Sequence, residues 1–348
     1  MPEALIERIQ AAYRDETPLI IHGGGSKTFY GGADEGEVLA TRALAGVVDY
    51  QPKELVLTAG AGTPLVQIED MLEDAGQMLA FEPPHFGGYA TLGGCVAAGL
   101  SGPRRPYAGA VRDHVLGVRV IDGTGQLLRF GGQVIKNVAG YDVSRLMVGA
   151  LGTLGVLTEV SLKVMPRPAA EVSLQFEMSE ADAIVTMNHW AGQPLPLSAT
   201  AWHEGLLTVR LSGAESAVRA AQAKLGGEVL VDGAAYWRRL RDQATPFFDK
   251  RPLWRVAVKP TTPPLKLDYA QWIEWGGAVR WFATNLPPSH IRSAAHAAGG
   301  HATLFRGQAP IDGAFAPLPP ALATLHQALK QRFDPRGILN RNRLYTGW

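Results

Sequence analysis

Three short glycine-rich segments carry the first chemical signal, because glycine lets a ligand touch backbone N–H groups with no Cβ in the way. In the first, the apolar run Leu19-Ile20-Ile21 leads into His22-Gly23-Gly24-Gly25-Ser26-Lys27. The second holds seven glycines between Gly87 and Gly109, although each costs about 0.5 to 1 kcal/mol against Ala inside a helix or strand. The third is Gly149-Ala150-Leu151-Gly152-Thr153-Leu154-Gly155, just before the alternating residues 156–164. A strand ending in consecutive N–H groups and a serine hydroxyl is an anion-binding concavity. It is neither the spaced G-x-G-x-x-G fingerprint nor a P-loop, whose terminal G-K-[ST] is missing. A packed loop serving only the fold would explain any one segment. Three of them spread over about 130 residues point to one long ligand held from several sides.

The elements that must position these loops follow from periodicity. Residues 2–13 have amphipathic helix spacing, and 18–22, 47–50 and 55–59 read as strands. Pro64 suits the first turn of a helix, with Thr63 as its cap. Pro83-Pro84 forces extended backbone, and Thr91 caps a helix over 92–98, where Gly93, Gly94, Ala97 and Ala98 admit a flat ring or a pyrophosphate. Arg104 and Arg105 offer donors to phosphate or carboxylate, or form a solvated surface loop. Residues 115–121 and 126–130 flank the turn Asp122-Gly123-Thr124-Gly125 as a hairpin, and Asp142 is an N-cap for 143–148. The strand from Val156 ends at Met165-Pro166-Arg167-Pro168, which marks a domain junction. Beyond it, strands over 172–176, 206–211, 254–258, 278–283 and 302–305 alternate with helices over 180–190, 214–225 and 291–298. That order predicts an α+β domain with an antiparallel sheet.

The GGGS loop, the segment Thr91-Leu92-Gly93-Gly94 with its later Gly109-Ala110-Val111-Arg112-Asp113, the Gly152-Thr153-Leu154-Gly155-Val156 strand and the terminal run from Phe333 to Asn340 resemble one family. It is the PCMH-type FAD-binding family typified by vanillyl-alcohol oxidase and the D-2-hydroxyacid dehydrogenases. Within it, the Gly99 to Pro106 run is similar to the FAD-binding subunits of bacterial glycolate oxidases. The resemblance implies a flavin domain of two α+β subdomains over 1–166, an α+β cap domain over 167–310, and a segment over 311–348 returning to the flavin domain. It implies FAD, since only a ligand with a pyrophosphate and an adenosine spans all three clusters. His22, Gly23, Gly24, Gly25 and Ser26 would hold the pyrophosphate. Pro84, Thr91, Leu92, Gly94, Cys95, Ala98 and Gly99 would line its length. Tyr107, Gly109, Arg112, Gly152, Gly155, Val156 and Asn340 complete the expected contacts, and Lys136 and Tyr141 fall in a segment near the flavin. The flavin is expected to be non-covalent, because covalently linked relatives carry a histidine where this chain has Ser26-Lys27. Cys95 is either a flavin thioether or a buried structural thiol.

Composition limits the alternatives. Lys and Arg number 33 against 32 Asp and Glu, so no basic face for nucleic acid is implied. The tail is the local exception, with Lys330, Arg332, Arg336, Arg341 and Arg343 against Asp334; a solvated helix end and a phosphate or partner contact explain it equally. A single cysteine excludes an intramolecular disulfide. The amino terminus has no leader pattern and no apolar run approaches a bilayer span. The expected location is the cytoplasm, with any membrane association peripheral, on its inner face, or through a partner.

The nine histidines show no metal-ligand spacing, so no metal site is expected. The H-x-G-D-G-N-x-H type of segment that serves the resembling dehydrogenases is missing. Arg255 and Lys259 remain as clamps for a substrate carboxylate and His301 as a displaced base. The reading is an FAD-binding subunit of a glycolate oxidase, working on a small 2-hydroxy acid beside a sister FAD-binding subunit and an iron–sulfur subunit. A chain lacking the histidine segment is expected to turn over glycolate poorly alone. Two alternatives stand: a self-sufficient oxidoreductase of another small hydroxyacid, alcohol or lactone, and a non-catalytic assembly subunit.

Overall fold

Branched apolar residues recur through the first half of the chain at strand spacing, and they assemble one five-stranded sheet. The computed structural model describes residues 2–33, 35–132, 142–267, 269–310 and 313–348. Lys136 and Tyr141 lie outside the described residues. The strands run in the order Val47–Gln51, Val56–Gly60, Val156–Lys163, Val115–Ile121 and Leu127–Gly131, every neighbour antiparallel. Val156–Lys163 takes the centre because it is largely buried on both faces, and its two buried hydroxyls are satisfied: Ser161 bonds Thr58 at 2.8 Å and Thr158 donates to Arg119 O at 3.2 Å. Helices Leu65–Asp74 and Leu92–Ala98 bury Leu65, Ile68, Leu92 and Val96 against this sheet.

The caps decide where those helices start. Thr91 accepts the Gly94 N–H at 3.3 Å as expected, and Gly99, at φ 66°, ends the helix in a left-handed turn. Thr63 does not cap the preceding helix, whose first flanking residue is Pro64. The Thr63 hydroxyl is fully buried and already used, donating to Gly60 O at 2.7 Å and accepting from Gly46 N–H at 2.9 Å.

Beside the sheet, Leu19–His22 pairs in parallel with Glu37–Ala40 beneath the helix Pro2–Asp15. The carboxyl tail returns to this strand: Leu19 N–H donates to Ile338 O at 2.7 Å and Asn340 N–H to Leu19 O at 2.9 Å. The basic tail is therefore not a solvated helix end. Lys330 is buried and donates to Thr153 O at 2.9 Å, Leu339 O at 2.8 Å and the Asp334 carboxylate at 2.7 Å. Arg336 binds Tyr13 O at 2.7 Å. Lys330 thus ties the tail to the third glycine segment and Arg336 ties it to the end of the first helix, each by satisfying backbone carbonyls.

The second half forms an eight-stranded antiparallel sheet, as the sequence predicts. Its order is Glu228–Val229, Ala170–Glu177, Leu206–Gly213, Leu197–His203, Gln271–Glu274, Val279–Ala283, Leu253–Ala257 and His301–Arg306. Three of these strands, Leu197–His203, Gln271–Glu274 and the two-residue Glu228–Val229, were not expected. The first two are largely buried on both faces, so the polar alternation that marks a half-exposed strand is missing from them; the third is too short to carry a pattern. The outer face is covered by helices Glu180–Ala191, Glu215–Leu225 and Pro288–Ala297. The inner face turns toward the glycine loops of the first half, and Trp272, Val279, Trp281 and Phe305 pack there with Tyr30, Ala98 and Leu151.

An ion network fixes that docking. Arg104 is neither a solvated loop residue nor a ligand donor. It is 7% exposed, its N–H donates to Glu82 Oε2 at 2.8 Å, and its Nη2 donates to Glu171 Oε2 at 2.7 Å. Arg210 on the inner face closes the network, with Nη2 2.8 Å from Glu82 Oε1. Removing one member of such a buried group leaves the others uncompensated. Arg210→Ala is expected to lower stability by about 3 to 5 kcal/mol in urea unfolding; a loss below about 1 kcal/mol, the range of an exposed pair, would show that the network does not hold the two halves.

Candidate functional site: a glycine-walled groove and an arginine-lined cavity

A groove runs between the end of strand Leu19–His22 and helix Leu92–Ala98. His22, Gly23, Gly24, Gly25 and Ser26 form one wall, Thr91, Gly94 and Ala98 face them, and Gly152, Gly155 and Asn340 close the third side. The loop leaves the strand with its donors free. The N–H groups of Gly23, Gly24, Gly25, Ser26 and Lys27 have no acceptor among the described residues. A row of unfilled donors in one concavity suits the oxygens of a pyrophosphate.

Glycine is required here for approach as well as for donors. A Cβ on Gly24 would stand 1.4 Å from Tyr89 O, so any side chain forces the two walls apart. Asn340 stabilises the groove by using both ends of its amide: Oδ1 accepts the Ile21 N–H at 2.7 Å and Nδ2 donates to Leu151 O at 2.6 Å. Two lining cations were absent from the expected contacts. Lys27 has a pKa lowered by burial and lies 3.3 Å from Ser26 Oγ. Arg343 donates to Thr28 O at 2.8 Å and Gly32 O at 3.0 Å beneath the same loop. The unbalanced basic tail was the available signal for Arg343.

Other expected residues fall elsewhere. Leu92, Cys95 and Val156 send their side chains into apolar cores. Burial pushes the Cys95 thiol up to about 12, so it is held as the unreactive thiol. Tyr107 and Gly109 form the turn around the short helix Arg105–Ala108 and line neither space described here. Pro84, Gly99 and Arg112 line a second cavity of about 330 Å³, which meets the groove at Ala98.

The inner face of the eight-stranded sheet forms the roof of this cavity. Arg255 lies opposite Trp281 on the next strand, and Trp281 lies opposite Trp272 on the one after. The Arg255 guanidinium sits 4.9 Å from the Trp275 ring centre and 5.9 Å from that of Trp281, and Arg105 approaches Trp275 to 4.4 Å. Aromatic faces shelter these cations without neutralising them. Among the described residues Arg255 has no carboxylate within ion-pair distance and donates no hydrogen bond. Burial lowers its pKa, and Arg105 lowers it further. Glu274, on the same face, accepts the Trp281 Nε1–H at 2.6 Å. Its pKa is pushed up to about 7 by burial, against the opposing pull of that hydrogen bond and of the Arg255 charge. Lys259 and His301 stand at exposed positions outside the lining.

Known proteins agree with this geometry. A family described as an FAD binding domain matches residues 2–131. Over 345 residues, which are 99% of this chain and 97% of the relative, the chain is 50% identical to glycolate oxidase subunit GlcE of Escherichia coli (strain K12). It is 32% identical over 213 residues to a D-lactate dehydrogenase of Anaerostipes hadrus, covering 56% of this chain and 44% of that one. It is 31% identical over 168 residues to glycolate oxidase subunit GlcD of Bacillus subtilis (strain 168), covering 48% and 36%; the chain thus matches less than half the length of these two. The solved structure of alkyldihydroxyacetonephosphate synthase superposes with a TM-score of 0.65 at 16% identity, over 97% of this chain and 75% of that one, which shows the fold.

The fold and the groove define an FAD-dependent oxidoreductase of the class acting on CH–OH groups. Within that class the chain belongs to the family of the glycolate oxidase subunit GlcE. FAD is its cofactor, and its groove supplies the free donors that cofactor needs.

Gly24→Val is expected to weaken FAD binding at least about a hundredfold, or about 2.7 kcal/mol, with the fold retained. Visible flavin absorbance per protein and far-ultraviolet circular dichroism check this together. A folded Gly24→Val chain with its full flavin content would show that the loop does not contact the cofactor.

Proposed function

We propose that this chain is the FAD-binding subunit of a glycolate oxidase that converts a small 2-hydroxy acid, glycolate, to its 2-oxo acid, glyoxylate. It works beside a sister FAD-binding subunit and passes electrons to an iron–sulfur subunit. In this reading residues 1–166 hold the flavin, 167–310 roof the substrate cavity, and 311–348 return to lock the flavin groove. Relatives named as two different subunits of glycolate oxidase support the assembly.

One observation carries the substrate class: the Arg255 guanidinium, sheltered by two tryptophans and without an anionic partner among the described residues, lines the cavity that meets the flavin groove. A buried cation left unpaired by the protein is costly unless a ligand supplies the anion. A carboxylate fits a guanidinium in two-point geometry. Bound FAD supplies acceptance of a hydride; the chain's own residues supply orientation, with Arg255 fixing the carboxylate and the walls around Ala98 holding the carbinol toward the groove.

The flavin is held without a covalent bond. The Cys95 thiol is buried away from the groove, and Ser26-Lys27 stand where linked relatives have histidine. Acid precipitation is expected to leave the flavin in the supernatant; yellow colour in the washed pellet would contradict this.

Arg255→Ala is expected to weaken binding of glycolate or of the unreactive analogue acetate by about 1.5 to 3 kcal/mol, roughly ten- to a hundredfold, while FAD content stays unchanged. Titration of the flavin absorbance of the holoprotein measures this. Undiminished affinity in Arg255→Ala would remove the carboxylate anchor. Failure of the chain to co-purify with an iron–sulfur protein from its own host would remove the assembly.

A further inference from the structure

The one histidine that the sequence offers as a base, His301, stands outside the cavity lining, yet a 2-hydroxy acid cannot lose a hydride cleanly unless its hydroxyl proton has somewhere to go. Resting on the reading above, we propose that Glu274 is the catalytic base of this cavity, taking the proton from the hydroxyl of a 2-hydroxy acid whose carboxylate is held by Arg255.

The register of the sheet sets the geometry. Glu274 pairs with Val279, two residues along the same strand from Trp281, and Trp281 pairs with Arg255. Side chains two residues apart on a strand share a face. Glu274 and Arg255 therefore stand on the inner face, one strand removed from each other, with the Trp281 indole between them. That indole fixes both groups, donating to Glu274 Oε1 at 2.6 Å and lying 5.9 Å from the Arg255 guanidinium. It also keeps them from closing on each other as an ion pair, although each feels the other's charge. The second oxygen of Glu274 receives no donor among the described residues, and Glu274 lines the cavity. An anion anchor and a proton acceptor, held apart by one indole over the same space, match the two ends of a small hydroxy acid.

The step balances as follows. The O–H bond of the substrate breaks and its proton passes to Glu274. The C–O bond becomes C=O as the C–H electron pair leaves as hydride to the bound FAD, so the acid loses two electrons and the cofactor gains them. The buried carboxyl, pushed up to about 7, is matched to proton transfer near neutrality, where a base is most effective. The groups around it are the Arg105, Arg112, Arg241 and Arg255 cations and the Tyr30 phenol, which line the cavity, and the Glu82 carboxylate, whose charge raises its pKa further.

The test uses the full FAD-loaded chain. In wild type, glycolate is expected to bleach the flavin under anaerobic conditions, with a rate that rises through pH 7. Glu274→Gln is expected to slow this by about 10² to 10⁴-fold while acetate still binds. A readout independent of turnover is proton uptake: above pH 7, acetate binding to wild type is expected to take up a fraction of a proton, seen by calorimetry in buffers of different ionisation heat. Glu274→Gln is expected to take up none. Should that variant fold poorly, Trp281→Phe, which removes the donor to the carboxylate, is expected to move the rate profile to higher pH. Unchanged bleaching in Glu274→Gln, no bleaching in a wild-type chain that binds acetate, or loss of bleaching in Tyr30→Phe but not in Glu274→Gln would each overturn the assignment while leaving the carboxylate cavity standing. A wild-type chain that binds no acetate would overturn both.

Discussion

The buried network of Glu82, Arg104, Glu171 and Arg210 is the constraint on which the functional architecture rests. Glu82 precedes the glycine-rich segment of the flavin-binding half and Arg104 lies within it, and Glu171 and Arg210 sit on the inner face of the eight-stranded sheet. Their pairing sets the height of that sheet over helix Leu92–Ala98, and hence the depth of the cavity beneath Arg255. A hydrophobic contact alone would let the sheet slide, because apolar packing has little directional preference. Charged hydrogen bonds of 2.7 to 2.8 Å do not tolerate a shift of even one ångström.

The two sets of arginines then divide the work. Arg104 and Arg210 are matched by carboxylates and hold structure. Arg343 donates to backbone carbonyls under the glycine loop and shapes the groove. Among the described residues Arg105 and Arg255 meet aromatic faces and no carboxylate within ion-pair distance, which leaves their donors for a ligand. Arg105 is exposed at the cavity rim, but the burial that lowers the pKa of Arg255 makes an unpaired cation costly unless something compensates it. The contrast within one interface is what separates a binding surface from a docking surface.

Much of this was legible in the sequence, and the gaps have physical causes. The glycine clusters could be read because close backbone approach leaves a compositional trace, and Thr91 because a cap has a local signature. The inner face could not be read. Arg255 was visible as a charge in an apolar strand, but Glu274 lies in Gln271–Glu274, four residues buried throughout, with no alternation and no motif. Its partners come from strands reached only through the fold. The basic tail misled for the opposite reason: a local charge excess looks solvated until Lys330 and Arg336 are seen to satisfy carbonyls far away in sequence.

That a carboxylate rather than a histidine serves as the proton acceptor follows from the electrostatics of this cavity. Four arginines line it, and positive surroundings disfavour the protonated imidazolium. His301 illustrates the effect nearby, since packing around its ring and then the Arg255 charge hold its pKa below the ordinary value. A histidine placed deeper would be a weaker base still. A carboxylate experiences the same field with the opposite sign: burial raises its pKa, the arginine and the indole donor lower it, and the balance for Glu274 falls at about 7. A cavity built around Arg255 makes glutamate the side chain able to hold a proton near neutrality.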